Sequence, residues 1–545
     1  MPSKHLPDVS LEPRANPDFT LRTVLLASLP AFLAVAIFLF TQLPKAFTID
    51  DTIFLRTAQQ SLETPTRPFA FDMCWEGSGS VKRFSKFVAN APLMGYALIP
   101  ALLSPWPEVT GHALQIFLLG LAALATASLA LRLGLSPRDA ALAAALTVAS
   151  PVVVAMAATV MPDVLAMAMG VIAVERFVAW RQDGGWGSAV LASAALVLGP
   201  LARPHVAVVF AVCALMMWPE CRNWMRGIAL LVISGLIYGA AILAVRDPEA
   251  ARGVLREGLI NLSPSVLVPH AISLGSYWAL TTPFVAGVLV FLVRQLYWRL
   301  AAILCVVAPF ALQLFLGKEH GLVYAACGLS YLALAWMLWE LWKSRTGTAL
   351  ALALWIVIPL AVTPYLHMAA KYTMPSAPAY AIVIAMLARE KGTRLSWSWM
   401  WLPAAGLAMG ILISLGDARA ANMAKAAVEK WMPPLESSGK KVFFHGQWGL
   451  QWYAQQRRAQ CFDPESPDVA HPGDFVMVDV IGVGKAFPVD LYPKARLVDV
   501  MAATSAGGLA LDQDRYTGFF SDGFGRLPWT WSPAGKPRFE LWEVQ

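Results

Sequence analysis

Residues 24–51 read VLLASLPAFLAVAIFLFTQLPKAFTIDD. The stretch Val24–Phe40 carries no charge, and a run of about twenty such residues crosses the hydrocarbon of a bilayer as a helix. Inside lipid the backbone must satisfy its own hydrogen bonds, which a helix does within one segment. The run leads into Thr41-Gln42-Leu43-Pro44 with no small-residue cleavage pattern, and the residues before it are polar and Pro-rich. It therefore reads as a retained first span and not as a cleaved signal. Two adjacent carboxylates, Asp50 and Asp51, follow its far end.

The same kind of run recurs along most of the chain. Candidate spans lie near 22–43, 111–131, 138–158, 163–180, 188–202, 204–218, 226–245, 274–293, 299–317, 321–342, 347–363, 374–389 and 396–415. The pair flanking Arg203-Pro204 is short for full crossings and is expected to form two half-length helices. Of 545 residues, 57% are hydrophobic and only 14% are charged, where a soluble domain carries roughly a quarter charged residues. The net charge of +7 is small for this length and sits in short loops. It reads as topology information and not as a nucleic-acid footprint. The expected fold is an all-α polytopic membrane bundle of about thirteen transmembrane helices, followed by a small C-terminal α/β domain.

Orientation follows from Lys and Arg in the connections. Lys4/Arg14/Arg22, Arg132/Arg138, Arg181, Arg222/Arg226, Arg294/Arg299, Lys343/Arg345 and Arg389/Lys391/Arg394 fall in one set of loops. That set is assigned to the cytoplasm. An odd number of spans then puts the C-terminal domain on the other side, the periplasm in a bacterium. The division expected is a transmembrane domain over 1–415 and a periplasmic domain over 416–545. The outer face also holds a first loop (44–110) and a second long loop (246–274), which suggests that the chemistry sits there.

Beyond Leu415, Lys441–His445, Phe475–Val480, Ala495–Met501 and Arg538–Val544 read as strands, with a helix at Leu450–Arg458. Ile481-Gly-Val-Gly-Lys485 lacks the spacing of a phosphate loop. Of the cysteines, Cys213, Cys305 and Cys327 fall inside spans and Cys221 at a cytoplasmic edge. Cys74 and Cys461 face the oxidising side and form the candidate disulfide, tying the first outer loop to the C-terminal domain.

The sharpest chemical signal is Thr48-Ile49-Asp50-Asp51. It has two readings. Thr48-x-x-Asp51 fits a capping box for the amphipathic stretch that follows (Ile53, Phe54, Thr57, Ala58, Ser61, Leu62), which would lie along the membrane surface. Against capping alone, paired carboxylates at a bilayer interface are costly unless something uses them. Met161-Pro162-Asp163 is an outer turn whose carboxylate either caps the next span or joins the first-loop pair. Three carboxylates together would raise one pKa or hold a divalent metal ion. Arg203 and Lys371, with Lys318, His320, His270 and His367, put basic groups on the outer face, against the positive-inside tendency. Snorkelling is one explanation and binding a phosphate is the other. Gly-x-Ser-x-Gly, His-Glu-x-x-His and Cys-x-x-Cys patterns are absent.

Taken in order, these features resemble the C-type superfamily of integral membrane glycosyltransferases, in the branch of protein O-mannosyltransferases and the lipid A aminoarabinose transferase. Ile49-Asp50-Asp51-Thr-Ile-Phe-Leu looks like the acidic start of the family's first outer loop. Ala89-Asn90-Ala91-Pro92-Leu93 looks like the Lys/His-Pro-Pro-Leu motif, with Asn90-Ala91 in place of Lys-Pro. Met161-Pro162-Asp163 stands at the second acidic turn. Gly199-Pro-Leu-Ala-Arg203-Pro204 looks like the Leu-Thr-Lys/Arg junction, and Lys371-Tyr372-Thr-Met-Pro375 like the Arg-Tyr-Leu-Leu-Pro run. Gly446-Gln-Trp-Gly-Leu-Gln-Trp-Tyr453 looks like a run in the tail domains of some relatives.

The resemblance implies transfer of a sugar from a polyprenyl-phosphate donor to an acceptor hydroxyl of a lipid, glycan or protein at the outer face of the inner membrane, with inversion. It implies Asp50 and Asp51 as the catalytic pair, with Asp50 the base by its position in the family's motif, Asp51, Asp163 and His270 as acceptor-orienting or metal groups, and Arg203 and Lys371 as donor-phosphate ligands. Asn90, Pro92 and Tyr372 would line the substrate loop. The rival readings are a secondary transporter or lipid flippase, and an outer-face oligosaccharide ligase or polymerase. A transporter asks for charges at mid-depth and repeated halves, but most spans lack the first and no two halves look like repeats.

Overall fold

The computed structural model describes the chain from Phe19 to Gln545, apart from residues 75–80, 84–91, 219–223, 246–260, 283–284, 286, 288, 290–291, 317–320, 366, 391–396, 464–469, 481–486, 491, 503–505, 511–516, 524 and 535–537. Asn90 and the 481–485 run lie outside the described residues.

Helix α1 (Leu21–Thr41) begins at Thr20, whose hydroxyl accepts from the Thr23 N–H. It packs on α5 (Pro107–Arg132) and α6 (Pro137–Val148), after α2 (Asp51–Glu63), α3 (Pro92–Ala97) and α4 (Ile99–Leu103) of the intervening loop. Then come α7 (Pro151–Ala157), α8 (Asp163–Asp183), α9 (Trp186–Ala202), α10 (Val208–Met216) and α11 (Trp224–Ala244). The bundle continues through α12 (Pro264–Thr281), α13 (Leu296–Leu316), α14 (Gly321–Ser344), α15 (Gly347–Ile356), α16 (Ala377–Glu390) and α17 (Trp401–Ser437).

Each expected span contains helix, and the protein is a polytopic membrane bundle, with three departures from the spans read in sequence. The run 138–158 is bent by 59° between α6 and α7, where Pro151 supplies no N–H to continue the ladder. The run placed at 274–293 starts earlier, as helix over Pro264–Thr281, with Pro264 at a first-turn position that suits it, and breaks at Thr282 before the helical residues Val285, Gly287 and Leu289. The last span does not stop at 415, because α17 continues through the charged residues Asp417, Arg419, Lys425, Glu429 and Lys430 into the C-terminal domain. Among the described residues six helices are long and apolar enough to cross a membrane, or seven with the bent pair. The other expected spans are either short, such as α9, α10 and α15, or too charged, such as α8 with Glu175, Arg176 and Arg181. Leu236 on α11 and Leu300, Leu304 and Leu314 on α13 are exposed, as lipid-facing positions are.

The C-terminal domain holds β3 to β9. Its main sheet has the order β4-β3-β5-β9-β6, formed by β3 (Val442–His445), β4 (Gln460–Cys461), β5 (Phe475–Asp479), β6 (Arg496–Ala502) and β9 (Arg538–Glu543). β3 runs parallel to β4 and β5, and β9 antiparallel to β5 and β6. Alternation sends Val442 and Phe444 toward Val428, Trp431 and Met432 of α17, and Phe443 toward Phe462 and Val478 on the other face. Helix α18 (Trp448–Gln456) matches the helix expected there. A hairpin of β7 (Ala506–Ala510) and β8 (Thr530–Ala534) stands apart, as does β1 (Asp72–Cys74) with β2 (Val81–Arg83) in the first loop.

Candidate active site

Between α1 and α2 the chain turns in the segment that carries the paired carboxylates. Ile49 has φ +44°, a left-handed conformation that costs a β-branched residue of order 1–3 kcal/mol and is kept where surroundings over-determine it. Those surroundings are visible. The Ala46 N–H donates to Asn422 Oδ1 at 2.9 Å and the Phe47 N–H to the Tyr453 hydroxyl at 2.8 Å. Gly449 of α18 lies so close that a Cβ there would sit 2.7 Å from the Phe47 carbonyl oxygen. Lys45, buried, donates to Asp417 at 2.5 Å and to the Ala158 carbonyl at 2.6 Å.

Asp51 is fully buried. One of its oxygens accepts from the Thr48 N–H at 3.1 Å, and the other from the Val160 N–H at 2.9 Å. The first contact is not the capping box expected of Thr48 and Asp51, because the N-cap of α2 is Asp50, and the second pins the first loop to the turn before α8. That turn was expected to neighbour the first loop, and it does. Burial pushes the Asp51 carboxyl up to about 7, against the pull of Lys45 and the two N–H groups and with the help of Asp417. With both oxygens occupied and no exposed surface, Asp51 holds the loop in shape. The direct catalytic or acceptor-binding contact expected of it is not available in this geometry.

Asp50 differs in every respect. Its side chain is 28% exposed and accepts from the Lys371 ammonium at 2.6 Å. Burial pushes its carboxyl up, but the charge and hydrogen bond of Lys371, with Arg203 and His367 beyond, hold it below its ordinary value. Two neighbouring carboxyls are thus driven apart, one ionised and reachable, the other enclosed. Such a separation divides acid–base roles between like groups.

Around Asp50 the remaining expected residues fall into place by pairs. Arg203, extended at the break between α9 and the turn Pro204–Ala207, grips Asp163 with two hydrogen bonds of 2.9 and 3.1 Å. The fork is the planar geometry at which guanidinium and carboxylate match best. Tyr372 lies under Arg203, with the guanidinium 5.6 Å from its ring centroid, and its hydroxyl meets His367 Nε2 at 3.1 Å. Burial first, and then Lys371 and Arg203, push His367 down to about 4, so it is neutral at pH 7. Lys371 also touches Met161 Sδ at 3.6 Å, and Gln115 secures the Met161 carbonyl at 2.9 Å. Pro92 is buried at the start of α3, which packs on α2.

Two expectations need correction. Asp50, Asp51 and Asp163 do not form a cation cage, because the carboxylates face Lys371, two backbone N–H groups and Arg203 respectively. No group of three or more His, Cys, Asp or Glu able to hold a metal ion occurs among the described residues, so this arrangement does not fit such an ion. His270 does not join the carboxylates either. Its Nδ1 lies 2.7 Å from the Thr363 carbonyl and its Nε2 3.4 Å from Asp522.

The sequence reading missed Lys45, Asp417, Tyr453, Asn422 and Asp522. Lys45 carried a signal, since a lysine two residues past a span end must find a partner when buried. Asp417 gave a similar hint just beyond the expected last span. Cys74 and Cys461 are joined as expected, with Cα atoms 6.4 Å apart and a sequence separation of 387. Replacing both by serine is expected to lower stability by about 2–5 kcal/mol, read as a lower denaturation midpoint of the purified protein. An unchanged midpoint would mean that the packing of α17 and α18 alone holds the loop.

No family model and no curated protein matches the chain in sequence. Among solved structures it is similar to ArnT from Cupriavidus metallidurans in the apo state, at 15% identity and a TM-score of 0.42 over 86% of this chain and 95% of that one. It is similar to the oligosaccharyltransferase of Archaeoglobus fulgidus in complex with Zn and sulfate, at 13% identity and a TM-score of 0.47 over 83% and 68%. It is also similar to the mycobacterial arabinofuranosyltransferase AftD, at 16% identity and a TM-score of 0.41 over 97% and 40%. The last two are by name an oligosaccharyltransferase and an arabinofuranosyltransferase.

Proposed function

We propose that the protein transfers a sugar from a polyprenyl-phosphate carrier to an acceptor hydroxyl, with Asp50 as the base, at the outer face of the cytoplasmic membrane. The observation that carries this reading is the reachable, ionised Asp50 carboxylate hydrogen-bonded to the buried Lys371 at 2.6 Å. The acceptor oxygen attacks the anomeric carbon while its proton passes to Asp50. The bond from that carbon to the phosphate oxygen breaks with its electron pair leaving on the phosphate, and configuration inverts. As Asp50 is neutralised, Lys371 loses its counter-charge just when the phosphate gains one. The ammonium therefore shifts its interaction toward the leaving group, which stabilises the transition state more than the ground state. Arg203 remains fixed by Asp163 and adds to the positive field beside Asp50.

A carrier with a long apolar tail suits a site at the end of a lipid-embedded bundle, since the tail stays in hydrocarbon while the head reaches Asp50. The basic loops supply the orientation. The sugar is expected to be donated singly, to a lipid, glycan or protein hydroxyl.

The test reconstitutes the full chain with a panel of labelled polyprenyl-phosphate monosaccharides and measures release of polyprenyl phosphate. Release coupled to a labelled product is expected, and Lys371→Met should lower its rate at least about tenfold. Movement of an intact donor or solute across the vesicle wall without any release would contradict the reading and favour a transporter.

A further inference from the structure

The C-terminal domain has no role in the scheme above, yet one of its segments lies against the residues that carry the chemistry. Residues 517–523 and 525–529 leave the sheet region and enter the bundle. The segment is anchored there by the Tyr277 hydroxyl to the Gly525 carbonyl at 2.9 Å, Trp529 Nε1 to the Leu280 carbonyl at 3.2 Å and the Ser276 hydroxyl to the Arg526 carbonyl, and it is closed on itself by the Gly518 N–H to the Leu527 carbonyl at 2.6 Å. Phe519 and Phe520 are buried in the bundle core.

From this anchor the segment binds one stretch of backbone, the one that bears His367 and Lys371. Asp522 Oδ1 accepts from the Met368 N–H at 2.8 Å, while the Asp522 N–H donates to the Met368 carbonyl at 2.7 Å. The Ala370 N–H donates to the Phe519 carbonyl at 3.0 Å. The Phe520 ring centroid lies 5.7 Å from the Lys371 ammonium, within cation–π range. The second Asp522 oxygen lies 3.4 Å from His270 Nε2 and so ties α12 into the same arrangement. These bonds fix the residues immediately before Lys371, and a small misplacement of a charged group beside a reacting centre is costly.

We propose that Asp522, with Phe519 and Phe520, is a positioning element for the reaction: this strap of the C-terminal domain sets where the Lys371 ammonium meets Asp50. The proposal rests on Asp50 being the base. It gives the C-terminal domain a part in the chemistry without any direct contact to substrate. If the strap loosens, Lys371 withdraws from Asp50, and the Asp50 carboxyl rises from its lowered value. The groups facing Asp50 are Lys371, Arg203 and His367, with Tyr365 and Tyr372 nearby. Of these, the strap holds the backbone of Lys371 and its neighbour His367.

The test is an infrared pH titration of the Asp50 carboxyl band in the full chain in lipid nanodiscs, the band being assigned by its loss in Asp50→Asn. Asp522→Ala is expected to raise the midpoint by about one pH unit or more. Asp522→Asn keeps an oxygen for the Met368 N–H and is expected to stay near wild type, while a purely structural role for Asp522 would lower the denaturation midpoint of Asp522→Ala without moving the Asp50 titration. Phe520→Leu, which removes the ring over Lys371 but keeps apolar bulk, is expected to shift the midpoint in the same direction, and it carries the test if Asp522→Ala does not fold. An unshifted midpoint in the folded variants overturns the strap and leaves Asp50 as base. Undiminished sugar transfer by Asp50→Asn overturns the base and leaves the strap to be judged by the titration.

Discussion

Asp50→Asn is expected to lower sugar transfer by about 10²–10⁴-fold at neutral pH, the range over which a positioned carboxylate base contributes. The substitution is close to isosteric. The amide oxygen still accepts from Lys371, so the segment keeps its shape while the group that takes the proton is gone. The contrast with Asp51→Asn makes the prediction specific. Asp51 has no exposed surface and uses both oxygens as acceptors for the Thr48 and Val160 N–H groups. An amide has one such oxygen, so one buried N–H loses its partner, at about 1–3 kcal/mol. The Asp51 variant is therefore expected to lose stability first and to keep measurable transfer where it folds. Because Lys371 holds Asp50 below its ordinary value, the acid limb of the wild-type rate profile is expected below the usual aspartate range. Lys371→Met should move it upward. The reverse ranking of the two aspartates would exchange their roles.

Asp417→Leu is expected to destabilise the protein by about 3–5 kcal/mol, because it leaves Lys45 charged and unpaired in a buried setting. The Lys45 side chain is 1% exposed and the Asp417 side chain 7%, at 2.5 Å from each other. The pair joins the end of α1 to α17, so its loss also frees the segment that leads to Asp50. The double variant Lys45→Met/Asp417→Leu removes both charges and is expected to recover much of the loss. Denaturation midpoints of the single and double variants in the same detergent check this. A single variant as stable as wild type would show that the ammonium finds another partner.

The membrane class of the fold was legible because apolar runs are a local property: a helix in lipid satisfies its own backbone, whatever its neighbours. The strands β3, β5, β6 and β9 were legible for a similar reason, being short apolar runs between Gly, Pro and Asp. The bend at Ser150-Pro151 and the continuation of α17 past residue 415 were less so. In each case tertiary support decided: α17 is polar beyond Asp417, yet the sheet packs on it through Val428, Trp431 and Met432.

For the site, the residue types were legible and their pairing was not. Asp50, Asp163, Arg203, Lys371 and Tyr372 do gather, because each stands at a span end on one side of the bundle. Which carboxylate meets which cation depends on how separate turns approach one another, and periodicity along one chain carries no such information. Physical reasoning on the sequence thus did not separate Asp50 from Asp51, and only the family's motif favoured Asp50 as the base. Their surroundings separate them, since beyond the left-handed Ile49 the Asp50 carboxylate is partly exposed on Lys371 while that of Asp51 is enclosed by the Thr48 and Val160 N–H groups. Asp522 was illegible for the same reason, lying far along the chain in a segment without regular structure.

The most direct test of the account compares wild type with Asp50→Asn for release of polyprenyl phosphate from a labelled polyprenyl-phosphate sugar. Both proteins are purified with the Cys74–Cys461 bond intact, and their folding is confirmed by equal denaturation midpoints. Release by wild type and a loss of about 10²-fold or more in the variant is the predicted result. Equal release by both proteins would contradict it, and would leave the first-loop carboxylate with a structural part only.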